Sequence, residues 1–393
     1  MKILYHHRTQ GKGVEGIHIR EIVNALKALK HDVFLVSPPG IDPFASQINA
    51  GKGPRRAANG WSMVARSLPQ IFFEITELLY NFSAFIMLKK VLSREKIDFI
   101  YERYHFFGWM GTFLARRFGI PVILEVNEVS ELRRVRGQAL PKAASFIEKK
   151  VFKNADAIIV VSSFLKKVIR EKYGLEEGKI FVVPNAINPR DFNDGINDNE
   201  TRKRLGLEDK LVMGFVGKFV KWDRLEFLIE VFSNLVIINK DARLLLVGDG
   251  DNIQDLKNHA QKLSLQDKVI FPGYVARKDV YKYISAMDIC VLPHSNDFGS
   301  PVVLFEYMFM TKPVAAPSLA PILDVINDGE NGVLFEPENK VSFEMKLREL
   351  MDNPSKRGEL GGNAHRAVLN GHLWEFNAKK IIAIYNSFAE KNK

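Results

Sequence analysis

Short apolar runs alternate with longer amphipathic segments from one end of the chain to the other. Runs this short read as strands buried on both faces, and the segments between them as helices laid over a sheet. The pattern therefore predicts an α/β fold with parallel strands. Strands are expected at residues 3–6, 33–36, 99–101, 122–126, 157–161, 212–216, 243–247, 269–271, 289–292 and 314–316. Residues 16–29 show the helical period clearly, with Ile19, Ile22, Val23 and Leu26 on one face. The alternation restarts after Val182-Val-Pro-Asn185, and from there to Glu200 the chain is rich in Asn, Asp, Gly and Pro. The boundary is placed near Pro184, between a domain of residues 1–184 and one of residues 185–373. Two doubly wound domains of this kind hold ligands at the carboxyl ends of their strands, and the expectation is that they face each other across a cleft.

Length agrees with that division, because 393 residues exceed what one hydrophobic core fills. With 46% hydrophobic and 26% charged residues, the composition is that of a folded globular chain. The single cysteine, Cys290, lies in the apolar run Asp288-Ile-Cys-Val-Leu292, so it reads as a small core residue and permits neither an internal disulfide nor a cysteine metal cluster. Met1 to His7 reads as a buried strand rather than a signal peptide. The most apolar stretch, residues 78–88, is interrupted by Asn81 and Ser83 and is too short to span a bilayer. A cytoplasmic protein is expected.

Charge changes the picture. Residues 1–190 hold 30 of the 56 Lys+Arg but only 17 of the 46 Asp+Glu, so the net +10 resides in the first half. An excess of that kind marks either an anionic partner or merely a solvated basic surface. Within it, Ile71, Phe72, Ile75, Leu78, Leu79, Phe82, Phe85 and Ile86 recur at helical spacing. Arg55, Arg56 and Arg66 precede this stripe, not far from Trp61, and Lys89 and Lys90 end it. A helix lying on an anionic membrane surface has this pattern. A helix packing its stripe on its own sheet has it too. Nucleic acid is not expected, because the basic half contains no recognition motif.

Two glycine-rich segments invite over-reading. Gly11-Lys-Gly-Val-Glu-Gly16 follows the first strand and opens a helix, as a dinucleotide site would. The second strand, however, ends Leu35-Val-Ser-Pro-Pro39 without the carboxylate that would hold a nicotinamide ribose. What is retained is a loop, Gly13 to Gly16, whose backbone approaches a phosphate at a helix N-terminus. Asp249-Gly-Asp251 looks like a metal-binding carboxylate pair, but it follows a strand directly and reads as a turn and helix cap. No metal or other cofactor is expected.

The most informative segment is Asp297-Phe-Gly-Ser-Pro-Val-Val-Leu-Phe-Glu-Tyr-Met308. Ser300 reads as an N-cap and Pro301 as the first helical residue, leaving the amides of Val302 and Val303 as an anion site suited to a diphosphate. Glu306 sits in an otherwise apolar helix, where a lone carboxylate must find hydrogen bonds or a counter-ion. Ribose hydroxyls would satisfy it; so would a neighbouring Lys or Arg.

Over nearly its whole length the chain resembles glycosyltransferase family four, the retaining GT-B enzymes, in the subgroup with Ser-Pro before Phe-Glu-Tyr-Met. The likeness rests on Gly16-Ile-His-Ile-Arg-Glu21 through His31-Asp-Val33, Asn154-Ala-Asp-Ala-Ile-Ile-Val-Val-Ser162, Val183-Pro-Asn185, Phe215-Val-Gly217 and Leu246-Val-Gly-Asp-Gly250. It continues through Phe271-Pro-Gly-Tyr-Val275, Phe305-Glu-Tyr-Met308 with Lys312-Pro-Val314, and Asp328-Gly-Glu-Asn-Gly332. The resemblance implies the GT-B fold, a final helix at residues 374–393 packed back on the first domain, and a UDP- or GDP-sugar donor held by the second. Glu306 would grip the ribose, Gly273, Tyr274 and Val275 would meet the base, and Gly217, Lys218, Lys221 and Arg224 would hold the diphosphate. Lys218, Arg224, Asn127 and Glu306 are the catalytic candidates it implies.

Three positions depart from the family pattern. Phe298 stands where the first paired glutamate is expected, Asp223 where a phosphate-binding lysine is, and Asn127 where a histidine is. Acceptor recognition falls to first-domain loops, with Arg103, His105 and Glu128 as candidates and Arg133-Arg-Val-Arg136 nearby. His105 may equally cap the helix that follows. The implied product is a cell-surface polysaccharide or glycolipid, made on a glycan, lipid-linked or small-molecule acceptor. A silent nucleotide-sugar-binding protein, and an epimerase or hydrolase on the same fold, remain as alternatives.

Overall fold

The computed structural model describes residues 1–11, 13–44, 70–130, 132, 138–192 and 198–389. Arg55, Arg56, Trp61, Arg66 and the Arg133 to Arg136 cluster lie outside these residues. The chain forms two compact units, Met1–Val183 with Trp374–Lys393, and Pro184–Leu373.

The first unit runs β1 (Lys2–His6), α1 (Gly13–Ala28), β2 (Asp32–Val36), α2 (Gln70–Leu92), β3 (Phe99–Arg103) and α3 (Met110–Phe118). It continues β4 (Val122–Val126), α4 (Pro141–Asn154), β5 (Ala157–Val160), α5 (Ser163–Tyr173) and β6 (Ile180–Val182). The strands pair in parallel in the order β2-β1-β3-β4-β5-β6. Strands β4 and β5 are buried throughout, which is why β5 appears in sequence as an unbroken apolar run and β4 as one interrupted only by Glu125.

The second unit runs α6 (Asp198–Leu205), β7 (Leu211–Lys218), α7 (Leu225–Ile238), β8 (Ala242–Asp249), α8 (Ile253–Lys262), β9 (Val269–Gly273) and α9 (Val280–Ser285). It continues β10 (Ile289–Val291), α10 (Val302–Phe309), β11 (Val314–Pro317), α11 (Ala320–Leu323), β12 (Val333–Phe335), α12 (Lys340–Asp352) and α13 (Pro354–Gly371). Its parallel order is β12-β11-β10-β7-β8-β9. Cys290 is fully buried in its core, where burial pushes the thiol pKa well up. A last helix, α14 (Trp374–Ala389), belongs to the first unit. Trp374 meets His18 of α1 edge-on at 4.7 Å, and Tyr385 stacks on Phe99.

Strands β6 and β12 are the two described strands that the apolar pattern does not predict. Each is three residues long at a sheet edge, too short to show a period.

Each sheet has one place where the winding reverses. In the first it lies between β1 and β3, in the second between β7 and β10, because each pair is adjacent in space but not in sequence. Loops leaving the carboxyl ends of such a pair diverge, and the crevice between them takes the ligand.

Helix α2 turns most of its apolar stripe outward. Packing of its apolar stripe on the sheet is not what is found: Ile71, Phe72, Ile75, Leu79, Phe82 and Ile86 are exposed, while Glu74, Glu77 and Asn81 are buried.

Candidate active site

In the second unit the carboxyl end of β7 delivers Gly217 and Lys218, followed by a short turn, Lys221–Asp223. Neighbouring backbones come very close here. A Cβ on Gly248 would lie 1.8 Å from the Gly217 carbonyl oxygen, and Phe219 N–H donates to the Asp249 carbonyl at 2.9 Å. Lys218 and Lys221 are exposed. Arg224 takes a left-handed conformation at φ 53° and pairs with Glu338 at 2.9 Å on the surface. Asp223 is buried and accepts the Val220 N–H, and burial pushes its pKa up to about 7.

Across the reversal point, the loop after β10 is tied to that turn: His294 Nδ1 lies 3.1 Å from the Trp222 carbonyl oxygen. Asn296 Oδ1 accepts the amide of Phe298 and so shapes the approach to α10. Ser300 is not the N-cap the sequence suggests. Its hydroxyl accepts the Asn185 N–H at 3.0 Å, and Asn185 Nδ2 donates to the Ser300 carbonyl at 2.7 Å. The hydroxyl is thus committed to the start of the unit, and the cap position falls to Pro301, whose ring has no polar atom to offer. Val302 and Val303 open α10 without a side-chain cap, which leaves a helix N-terminus suited to an anion. Tyr307 accepts the Val216 N–H at 2.7 Å and fixes α10 against β7.

Glu306 is 2% exposed and forms an ion pair with Arg277, which is about half exposed. Burial raises the Glu306 pKa and Arg277 opposes the rise. Gly273, at φ 83°, ends β9 and turns the chain into Tyr274, which projects into solvent. The Asp249 carboxylate accepts the Gly250 amide at 2.8 Å, and Asn252, not Asp251, holds the N-cap position of α8. Among the described residues no group of three His, Cys, Asp or Glu is placed to hold a metal ion.

The first unit carries a separate polar cluster at the ends of β3 and β4. Glu125 is buried and binds Arg103, His18 Nε2 at 3.1 Å, Asn127 Nδ2 at 2.7 Å and the Tyr101 hydroxyl at 3.0 Å. Burial alone would raise its pKa, but His18 and Arg103 override that and hold it well below the usual carboxylate range. Beside it, His6 pairs with Glu102 at 2.7 Å and reaches the Tyr80 hydroxyl at 3.2 Å. His105 packs edge-on against Tyr80 and His6, and burial keeps its ring neutral. It does not cap α3; Asn81 does, accepting the Trp109 and Met110 amides. Gly13 to Gly16 form the first turn of α1 rather than a loop before it, and Gly16 permits contact rather than conformation: a Cβ there would lie 2.1 Å from the Gly11 carbonyl oxygen. Gly11 and Gly13 have positive φ, at 64° and 61°.

Two family profiles cover most of the chain. The one for Glycosyltransferase Family 4 matches residues 15–191, and the one for Glycosyl transferases group 1 matches residues 197–367. The chain belongs to the glycosyltransferases of family four. Glycosyltransferase MJ1607 of Methanocaldococcus jannaschii is 26% identical over 234 residues, 58% of this chain and 59% of that protein, so the match spans little more than half of the relative. D-inositol 3-phosphate glycosyltransferase of Stackebrandtia nassauensis is 24% identical over 311 residues, 75% of this chain and 69% of that protein. Among solved structures, the Anabaena protein Alr3699/HepE in complex with UDP aligns over 100% of this chain and 99% of its own, with TM-score 0.72 and 16% identity. Sucrose-phosphate synthase of Thermosynechococcus elongatus gives TM-score 0.73 at 18% identity, covering 99% of each chain. These likenesses establish the GT-B fold.

For this glycosyltransferase, the second unit gathers Gly217, Lys218, Lys221, Arg224, Ser300, Pro301, Val302, Val303 and Glu306 around one reversal point, with Gly273 to Val275 at the end of β9, on the same edge of the sheet. Asn127 and Arg103 are drawn onto Glu125, while Glu128 is only partly exposed one residue on. Sequence reasoning misses Glu125, which reads as one polar letter in a strand, and Arg277, which lies 29 positions from its partner Glu306. It also leaves Asn185 and His18 without roles; both fall inside family-matching stretches, which was the available signal.

Proposed function

We propose that this glycosyltransferase is a retaining, metal-independent enzyme that takes a sugar from a UDP- or GDP-sugar and builds a cell-surface polysaccharide or glycolipid at the cytoplasmic face of the membrane. The observation that carries the reading is the meeting, at one reversal point, of the cations Lys218, Lys221 and Arg224 with the uncapped start of α10. Sugar transfer leaves negative charge on the departing diphosphate, and fixed cations and helix-terminal amides stabilise it without reorganising. Arg224 leaves Glu338 easily for such a ligand, because an exposed ion pair contributes roughly 1 kcal/mol or less. Glu306 takes the ribose hydroxyls, with Arg277 beside it as its counter-ion.

In the first unit, Glu125 fixes Arg103 and Asn127 in one orientation, which suits them to position the acceptor or the sugar. His105, kept neutral, contributes ring surface and no charge. Named relatives differ in what they glycosylate; an inositol 3-phosphate acceptor is said of one of them. A donor screen tests the reading, with nucleotide release measured across UDP- and GDP-sugars, with and without lipid-linked acceptors. Turnover that appears only with an acceptor supports transfer. Tight donor binding without turnover under any condition points instead to a silent nucleotide-sugar-binding protein, a reading favoured by the buried Asp223 where a phosphate-binding lysine is expected.

A further inference from the structure

Helix α2 is inside out. Its polar groups are engaged within the first unit: Glu74 accepts the amides of Ala139 at 2.7 Å and Leu140 at 2.8 Å, Glu77 binds Arg8 at 2.8 Å, and Asn81 caps α3. Its opposite face presents Ile71, Phe72, Ile75, Leu79, Phe82 and Ile86 to solvent, with Leu79 67% and Phe82 73% exposed. An apolar strip of this extent is unfavourable in water and marks a surface that something covers.

Charge identifies the occupant. Along α2, α3 and α4 every acidic side chain, Glu74, Glu77 and Glu148, is buried. Every basic side chain on the same helices faces solvent. Lys89 and Lys90 end α2, and Arg116 and Arg117 end α3. Lys142, Lys149, Lys150 and Lys153 follow on α4. Between α3 and α4 a groove of about 650 Å³ sets an aromatic wall of Trp109, Phe113 and Phe146 beside Arg116, Arg117 and Lys150. Leu78 of α2 packs with Ala144 and Ile147 of α4 around Phe106 and Phe107, so the helices form one continuous surface.

We propose that this face docks on an anionic lipid bilayer, with the apolar ridge of α2 in the upper acyl layer and the surrounding lysines and arginines on the lipid phosphates. Residues 78–88, expected from the sequence to be too short to span a bilayer, form part of a longer helix: with 23 residues α2 is long and apolar enough to cross a membrane. Its inward groups, however, are bound to the loop before α4, to Arg8 and to α3, and a crossing would strip all of them bare in hydrocarbon. A second copy of this chain would cover the ridge only by bringing one basic rim against another. Nucleic acid would meet the charge and leave the ridge exposed. The proposal is independent of the sugar-transfer reading.

Sedimentation of the full-length protein with vesicles tests it. Pelleting with mixed phosphatidylglycerol and phosphatidylcholine vesicles at low salt is expected, at least about tenfold tighter than with phosphatidylcholine alone. The Leu79→Glu/Phe82→Glu variant, altered at two exposed positions, is expected to lose at least about tenfold in that affinity. Lys149→Glu/Lys150→Glu is expected to weaken binding and flatten its salt dependence. Nucleotide binding and melting temperature, unchanged in both variants, report intact folding. The proposal is overturned by a wild-type protein that ignores anionic vesicles at low salt. Undiminished binding by the Leu79→Glu/Phe82→Glu variant overturns it as well, and so does a wild-type dimer, seen by sedimentation velocity, that this variant makes monomeric. Failure to bind any nucleotide would sink the transfer reading and leave the vesicle result standing.

Discussion

Asp223 and Glu306 show two ways of burying a carboxylate in one unit. Glu306 keeps a counter-ion, Arg277, midway along α10. Its replacement by Ala removes charge-assisted hydrogen bonds worth roughly 1.5–3 kcal/mol each. Titration calorimetry with UDP or GDP is expected to show affinity reduced by about tenfold to a thousandfold; unchanged affinity in a folded variant would take Glu306 out of the site. Among the described residues Asp223 has no counter-ion close by, only the Val220 amide, and its pKa rises from 3.8 to about 7. An unfolded chain ionises this group near pH 4 while the folded one holds its proton until about pH 7. Stability is therefore undiminished below pH 4, falls between pH 4 and 7, and stays reduced above. Asp223→Asn keeps the acceptor for Val220 and removes the charge. Thermal melts are expected to show it more stable than wild type at pH 8 and equal to it at pH 4; equal melting at both would refute the burial argument.

At the scale of elements, the apolar pattern predicts ten of the twelve described strands, because strands buried on both faces leave unbroken runs that no other element of that length leaves. The same pattern leaves the facing of α2 open. A helical stripe has the same period whether it faces a core or a membrane, and only the partners of Glu74, Glu77 and Asn81 reveal which side is inward. Those partners lie 26 to 69 positions away, beyond any local reading. Ser300 is a similar case: a good N-cap residue at a good N-cap position, taken instead by Asn185 from 115 positions back. Asn81 provides the sharpest test at this scale. It donates to the carbonyls of Leu78 and Phe107 and accepts from Trp109 and Met110. Asn81→Ala is expected to cost about 2 kcal/mol in urea unfolding, combining a lost cap with buried groups left unpaired. A loss below about 0.5 kcal/mol would mean that water replaces the side chain at no penalty.

For the molecule as a whole, the proposed chemistry rests on cations and amides. Sugar transfer is accordingly expected to survive EDTA; loss of turnover on chelation, restored by manganese, would return Asp249 and Asp251 to consideration as metal ligands. The two-unit plan is legible from where the strand alternation restarts. The polar cluster around Glu125 is not, since its members come from α1, β1, β3 and β4 and share nothing in sequence but their place at one sheet edge.

Helix α14 has a consequence for synthesis. Residues 374–389 are made after the whole of the second unit, yet Trp374, Ala378, Ile381 and Ile384 are buried in the first. While the ribosome translates and releases residues 184–373, the flank of α1 that meets α14 has no cover. The first unit thus waits, incomplete, for a segment translated after the second. A fragment of residues 1–183 is expected to be aggregation-prone by itself, and a separate peptide of residues 374–393 to rescue its solubility. A fragment that stays monomeric and melts cooperatively without the peptide would show that the wait is harmless.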